Sequence, residues 1–268
     1  MDWTLDLSAP VPHWHPANPA ADFALAFSTR RGGCSPPPRD SFDLGSSVQP
    51  PMPDVLDNRR NLLAALGLDP AALVTAGQVH GPTLRHVTHA GHVPDCDALL
   101  TRTSGLTLAI ATADCMALLY RAPGTVAAAH AGWRGAAAGV PGATLAAICT
   151  AAGVSPDRVQ VSLGPCIRAC CYEVGPDVAR AFPGAAVQRR SDRLFLDLPA
   201  VARLQLGEAG LPDAAFEDAG ICTACHAELC YSYRRDGGAT GRLWGVVALR
   251  DSSAFAEPVG QPARRRGL

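Results

Sequence analysis

Between Asp54 and Leu66 the apolar positions Val55, Leu56, Leu62, Leu63 and Leu66 recur at helical spacing, and Gly67 supplies a stop. That pattern predicts a helix over 54–66. Shorter apolar runs bounded by turn residues predict strands over 23–30, 72–79, 83–88, 106–112, 116–121, 124–130, 159–163 and 242–249. Residues 134–152 read as an apolar helix in which Pro141 and Gly142 are placed to begin the helix proper. Further helices are expected over 175–183 and 199–209. Residues 34–54 are read as loop, because Pro36, Pro37, Pro38, Pro50, Pro51 and Pro53 punctuate them. Strands and helices do not alternate strictly, so the pattern predicts an α/β (α+β) chain of mixed β-sheets with helices outside, not a doubly wound sheet. No linker divides the middle. The expected organisation is an extended N-terminal arm over 1–20 with four prolines, one domain over 21–252, and a tail over 253–268.

Composition narrows the function. The chain has 268 residues, 48% hydrophobic and 18% charged, enough apolar material for a sizeable core. The net charge is −1, with no basic stripe, so no nucleic-acid partner is expected. All 23 basic residues are arginine. Lysine nucleophiles and Schiff bases are therefore excluded, and an anion must be held by arginine, backbone N–H groups or a helix terminus. The start carries no basic segment followed by an apolar one, and no apolar run is long enough to span a membrane. The expected location is the cytoplasm, without membrane association, where ten cysteines read as thiols, ligands or a nucleophile rather than disulfides.

Three polar residues close apolar strands. His80 follows Val74-Thr75-Ala76-Gly77-Gln78-Val79, Cys115 follows Ala111-Thr112-Ala113-Asp114, and His130 follows Val126-Ala127-Ala128-Ala129. A strand end can aim a side chain into a cleft while its backbone stays fixed. Two imidazoles and a thiolate form a zinc set with one open position, the catalytic rather than the structural pattern. Taken singly, each residue also fits a buried strand end satisfied by a backbone bond.

Several segments together resemble the laccase-domain family. They include Ser28-Thr29-Arg30-Arg31-Gly32-Gly33, Asn58-Arg59-Arg60, Gln78-Val79-His80-Gly81, Asp95-Cys96-Asp97-Ala98, Thr112-Ala113-Asp114-Cys115 and His130-Ala131-Gly132-Trp133-Arg134-Gly135. They continue through Leu163-Gly164-Pro165-Cys166-Ile167, Cys171-Tyr172-Glu173-Val174, Cys222-Thr223, Ser232-Tyr233-Arg234-Arg235-Asp236 and Thr240-Gly241-Arg242, in family order over residues 23–250. Members of this family, once named multicopper polyphenol oxidases, are regarded as purine nucleoside phosphorylases with adenosine deaminase and methylthioadenosine phosphorylase activities. The resemblance implies layered mixed sheets, and it puts His80, Cys115 and His130 on the family's metal-binding and catalytic triplet. Zinc is the implied metal, with copper able to replace it. Purine nucleosides and phosphate are the implied partners, and the chain is expected to be a monomer or a homodimer. One region departs from the family pattern. Where the family has Asn-Leu-Gly, then a His and a Gly-Asp-Asp turn, this chain has Asp43-Leu44-Gly45, then Ser47 and Gln49-Pro50-Pro51.

Phosphorolysis requires a phosphate site beside the ribose. Arg30, next to a Gly-Gly turn, is the first candidate, with Arg134 also assigned and Arg59 and Arg234 behind it; Arg59 and Arg234 read more readily as structural ion pairs. Asp114, Asp97 and Glu173 are candidate proton carriers, and Asp114 alternatively orients a ligand histidine. Trp133 is open to stacking on a purine or to packing in the core. His226-Ala227-Glu228 matches only half of the zinc-deaminase signature. Cys222-Thr223-Ala224-Cys225-His226 has haem-attachment spacing but no export signal accompanies it. Cys166, Cys170, Cys171, Cys222, Cys225 and Cys230 are weighed as a second, structural zinc set against buried small thiols, since they do not form two clean C-x2-C knuckles. Rival readings are a metal-free Cys115–His130 hydrolase or deamidase, a binding module with a vestigial metal site, and a copper polyphenol oxidase. His13-Trp14-His15 is the one His-x-His, too few for multicopper chemistry.

Overall fold

The computed structural model describes residues 3–18, 20–45 and 50–250. The strands are β1 (Trp3–Asp6), β2 (His13–Pro16), β3 (Phe23–Ser28), β4 (Leu73–Ala76), β5 (Leu84–His86), β6 (Gly91–Val93), β7 (Ala98–Thr101) and β8 (Thr107–Thr112). They continue as β9 (Met116–Ala122), β10 (Thr125–Ala131), β11 (Gln160–Leu163), β12 (Glu173–Val174), β13 (Val187–Arg190), β14 (Arg193–Leu196), β15 (Phe216–Asp218) and β16 (Leu243–Leu249). The α-helices are α1 (Pro53–Ala65), α2 (Trp133–Ala137), α3 (Val140–Ala152), α4 (Pro176–Ala179) and α5 (Leu198–Glu208). Among the described residues, a seven-stranded sheet has the order β1-β2-β3-β16-β8-β4-β6, and a six-stranded sheet the order β15-β11-β9-β10-β7-β5. A small third sheet, β12-β14-β13, stands apart.

The alternation of side chains shows how these elements stack. In β8, Leu108 and Ile110 pack inward with Leu119, Val126 and Ala128 of the other sheet, while Ala109 faces α1 with Leu62, Leu63, Trp244 and Val246. In β9, Leu118 and Tyr120 face Leu145 and Ile148 of α3 and Val201 and Leu206 of α5. The layers are therefore helix, sheet, sheet, helix, the mixed α/β architecture expected. Strands β9, β10 and β16 are buried along their whole length, so they read as continuous apolar runs and not as a period of two. Alanines in β10 and Gly245 in β16 let the sheets approach closely: a Cβ at Gly245 would stand 2.9 Å from the Ala117 methyl.

Three departures from the sequence reading have physical causes. The segment read as a surface arm forms β1 and β2, which extend the large sheet, with Trp14 buried. Pro10 and Pro12 fall between these strands and Pro16 at the end of β2, positions that a sheet edge tolerates. The helix expected over 134–152 is two helices, because Gly139 takes a left-handed φ of 79° and α3 begins at Val140 with Pro141 in its first turn. The helix expected over 175–183 is the single turn α4. The tail over 253–268 lies outside the described residues, as do Ser46, Ser47, Val48 and Gln49 of the divergent loop. Among the described residues, no helix is long and apolar enough to cross a membrane.

One buried ion pair ties the six-stranded sheet across its edge. Arg121 Nη2 donates to Glu217 Oε1 at 3.1 Å, and Ser162 Oγ donates to Glu217 Oε2 at 2.8 Å. Both charged side chains are almost fully buried. Glu217→Ala leaves the Arg121 charge in the interior and is expected to destabilise the fold by about 3–5 kcal/mol. In a chain of this size that lowers Tm by roughly 10 °C, measurable by calorimetry; an unchanged Tm would show the pair to be dispensable.

Candidate active site

The register of β9 against β10 builds the centre of the site. Ala131 pairs with Met116 and His130 with Ala117. Cys115, in the crossover from β8 to β9, therefore comes to lie beside the C-terminal end of β10. His80 arrives from the loop after β4. The ligand atoms of His80, Cys115 and His130 all lie within 4.8 Å of one another. The two imidazoles meet edge to face, with ring centroids 4.9 Å apart. Three residues separated by 35 and 15 positions in the chain are thus one constellation. Backbone strain collects here too: Gln78, His80 and Asp114 have φ of 51°, 63° and 96°, conformations that cost free energy and persist only when their surroundings enforce them.

Asp97 is the enforcing group. It is fully buried just before β7. Its Oδ1 accepts from His130 Nδ1 at 2.8 Å and from the His80 backbone N–H at 2.9 Å. Its Oδ2 accepts from the backbone N–H groups of Val79 at 3.1 Å and Gly81 at 2.8 Å. Its carbonyl accepts from the His130 N–H at 2.7 Å. One carboxylate thus folds the His80 loop and orients His130, leaving His130 Nε2 for the cleft. Gln78 locks the other side of the loop by exchanging two bonds with Ala111 of β8. Burial alone raises the Asp97 pKa, yet the bonds from His130 and the loop hold it below the usual carboxylate range.

The same logic acts on Cys115 and His130. Burial disfavours the thiolate, but His130 and then His80 outweigh it and bring Cys115 down to about 6. Burial disfavours the imidazolium, but Cys115 and then Asp97 raise His130 to about 9. In the metal-free protein Cys115 is thus a thiolate at neutral pH, the form a soft metal requires. Site-resolved alkylation of metal-free protein is expected to show Cys115 reactivity present above pH 6 and lost as pH falls through 6. A midpoint in the ordinary thiol range, about 8.5, would contradict this electrostatic account.

The triplet opens into a cavity of about 540 Å³, within the size range of small-molecule sites. Of the other residues named from the sequence, Asp114, Trp133, Arg134 and Arg234 line it. Asp114 faces away from His130: it accepts from Thr223 Oγ1 and from the Arg234 backbone N–H, both at 2.6 Å. Arg134 stacks over Trp133 with its carbon 4.5 Å from the ring centroid. Arg30 is not in the cavity. Its guanidinium donates to the carbonyls of Asp40 and Ala227 and covers Tyr231. Glu173 also lies outside, where its carboxylate pairs with Arg193. Arg59 is structural: it is buried on Trp244, donates to the Leu44 carbonyl, and burial lowers its pKa to about 10. Gln78, Tyr172, Tyr233 and Arg242 line the cavity but were not singled out as site residues; each stands in, or next to, a family segment, which was the available signal. Asp43, where the family has Asn, accepts from the Arg242 backbone N–H at 2.8 Å and pairs with Arg39. The divergent segment thus reaches the site through Arg242.

A family model described as multi-copper polyphenol oxidoreductase laccase matches residues 24–250. The protein named Purine nucleoside phosphorylase of Deinococcus radiodurans is 40% identical over 231 residues, covering 84% of this chain and 88% of that one. Purine nucleoside phosphorylase YlmD of Geobacillus stearothermophilus is 34% identical over 255 residues, covering 88% and 93%. The crystal structure of YlmD from the same organism superposes with a TM-score of 0.84 at 33% identity, covering 89% of this chain and 96% of that one. Sequence and fold agree along nearly the whole length, and the chain belongs to this laccase-domain family.

Proposed function

We propose that the chain is a zinc-dependent purine nucleoside phosphorylase acting on adenosine, inosine and methylthioadenosine, with adenosine deamination as an accompanying activity. The observation that carries the reading is a two-histidine, one-thiolate donor set on the floor of a cleft rimmed by arginines and aromatic rings. The names of the relatives point to the same reaction. The donor set suits zinc: Cys115 is held as thiolate, His130 is oriented by a buried carboxylate, and three protein ligands leave one position for a reactant. A bound zinc ion supplies Lewis acidity. Two imidazoles and a thiolate also accept copper, which binds such sites at least as tightly.

In the proposed reaction a phosphate oxygen attacks the ribose anomeric carbon. The glycosidic C–N bond breaks, and its electron pair leaves with the purine. Arg134, Arg234 and Arg242 line the cavity, and in this reading their guanidinium donors not engaged with backbone carbonyls neutralise the phosphate by charge-assisted hydrogen bonds. Trp133, Tyr172 and Tyr233 supply aromatic surface for the base. The test is chromatography of each nucleoside with purified protein, with and without phosphate. Free base that forms only with phosphate supports phosphorolysis. Inosine formed from adenosine without phosphate promotes deamination. No product from zinc-replete protein overturns the reading.

A second reading has its own observation. The thiolate of Cys115 beside a protonated His130 also describes a Cys–His nucleophile pair. Chelation separates the two, because a thiol hydrolase keeps working after the metal is removed.

A further inference from the structure

Four other cysteines converge about the far side of the cleft wall. The sulfurs of Cys170, Cys171, Cys222 and Cys225 all lie within 4.8 Å of one another. Cys170 and Cys171 sit 3.6 and 3.4 Å from Cys225. A tetrahedral zinc–thiolate centre with bonds of about 2.3 Å has sulfur–sulfur edges of about 3.8 Å, so these separations need only small adjustment. A disulfide unites two sulfurs and gives no reason for four to gather. Simple packing does not explain them either. Free cysteines that act as small apolar residues are buried, as Cys166 and Cys230 are here; of the four only Cys222 is buried, whereas Cys170 and Cys225 are exposed and Cys171 is half-buried.

We propose that Cys170, Cys171, Cys222 and Cys225 form a second metal site, a four-thiolate zinc centre that clips together the two segments walling the cleft. Cys222-Thr223-Ala224-Cys225 is the one C-x2-C of the four and serves as the knuckle. Arg190, Arg193, Arg234 and Arg235, against the one acid Asp192, border the adjoining surface depression, a net cationic surround suited to a centre of net charge −2. Zinc replaces the thiol protons, which leave to solvent, and nothing is oxidised or reduced.

The clip has a mechanical consequence. One segment continues from Cys171 directly into Tyr172, and the other leads from Cys225 to Tyr233 and Arg234, all of which line the cleft. Between the knuckle cysteines, Thr223 donates to Asp114, the neighbour of Cys115. Arg234 Nη1 donates across the seam to the Glu173 carbonyl at 2.7 Å. The centre therefore holds both walls at one separation and acts as a positioning element, with no contact to the reacting atoms.

The experiment is metal counting and cobalt substitution, with Zn2+ and Co2+ as probes, on protein purified under reducing conditions. The Cys115→Ala chain, which lacks the thiolate of the other site, is expected to retain one zinc per chain. Loaded with cobalt, it is expected to show thiolate-to-cobalt charge transfer and the intense visible bands of a tetrahedral site. Adding Cys170→Ser and Cys225→Ser should remove that ion and that spectrum, while the same two changes in the Cys115 parent should leave the triplet's own ion in place. Cys115→Ala protein that is folded, has all four thiols free to alkylate, and binds neither ion stoichiometrically would overturn the proposal. So would a disulfide among the four after reductive purification. None of these readouts depends on nucleoside turnover, so this site stands or falls separately from the proposed reaction.

Discussion

Gly132→Ala is expected to empty the His80–Cys115–His130 triplet of metal and to lower turnover on the order of 100-fold or more, with little change in stability. A Cβ at Gly132 would stand 2.8 Å from Cys115 Sγ and 3.5 Å from His80 Cδ2, and carbon and sulfur do not share that first separation. The backbone at Gly132, with φ −76° and ψ −173°, is open to any residue, so the strain does not fall on the main chain. It falls on the thiol, which rotates away and leaves the donor set. Losing a ligand outright should exceed the 10- to 100-fold that outer-shell changes cost. Gly135→Ala is the control: its added Cβ meets nothing closer than 3.5 Å, and alanine favours the helix. Metal content, turnover and Tm on the two variants decide the matter. Full metal occupancy and normal turnover in Gly132→Ala would show that Cys115 does not need its present position.

Asp97→Asn is expected to weaken metal binding and activity 10- to 100-fold and to destabilise the fold by about 2–3 kcal/mol. An amide has one oxygen, whereas Asp97 accepts four hydrogen bonds through two. If the oxygen serves His130 and His80, the amide nitrogen confronts the N–H groups of Val79 and Gly81. The variant also removes the charge that supports protonated His130. The Cys115 thiolate of the metal-free variant should therefore lose support, and its labelling midpoint should move up from about 6. In the parent, the depressed Asp97 pKa contributes stability above the unfolded carboxyl value, about 3.9. That stability is lost as pH falls through the lower folded value. Equal metal affinity and an unmoved Cys115 midpoint in Asp97→Asn would reduce Asp97 to a packing residue.

The parts of the molecule that were legible in the sequence are those where one residue type permits few structures. The apolar runs of β8, β9, β10 and β16 announced strands, although burial on both faces hid which side met which layer. The third sheet escaped because Val187–Arg190 is polar and exposed after its first residue, while Arg193–Leu196 and Glu173–Val174 are only four and two residues long, too short to show a hydrophobic period. The triplet was legible through its motifs. Its supporting carboxylate was harder. Asp114 adjoins Cys115 in sequence, yet Asp97, 33 positions from His130, makes the bond. Only the pairing of β7 with β10 brings that carboxylate into place. Arg30 carried the chemistry of an anion site beside a glycine turn. Its donors are consumed by carbonyls, one of them 197 residues away, a distance that local sequence does not reveal. The cysteines divide in the same way. Six were candidates for one cluster, and the fold unites four while burying Cys166 and Cys230 in the core.

The most direct test of the central claim is the phosphate-dependent release of hypoxanthine from inosine by metal-quantified protein, with Cys115→Ala measured in parallel and folding matched by circular dichroism. The account predicts base release that requires phosphate in the parent, tracks occupancy of the triplet, and falls to background in Cys115→Ala. Parent activity that survives unchanged in the variant, or no base release from parent protein carrying metal at the triplet, would contradict it.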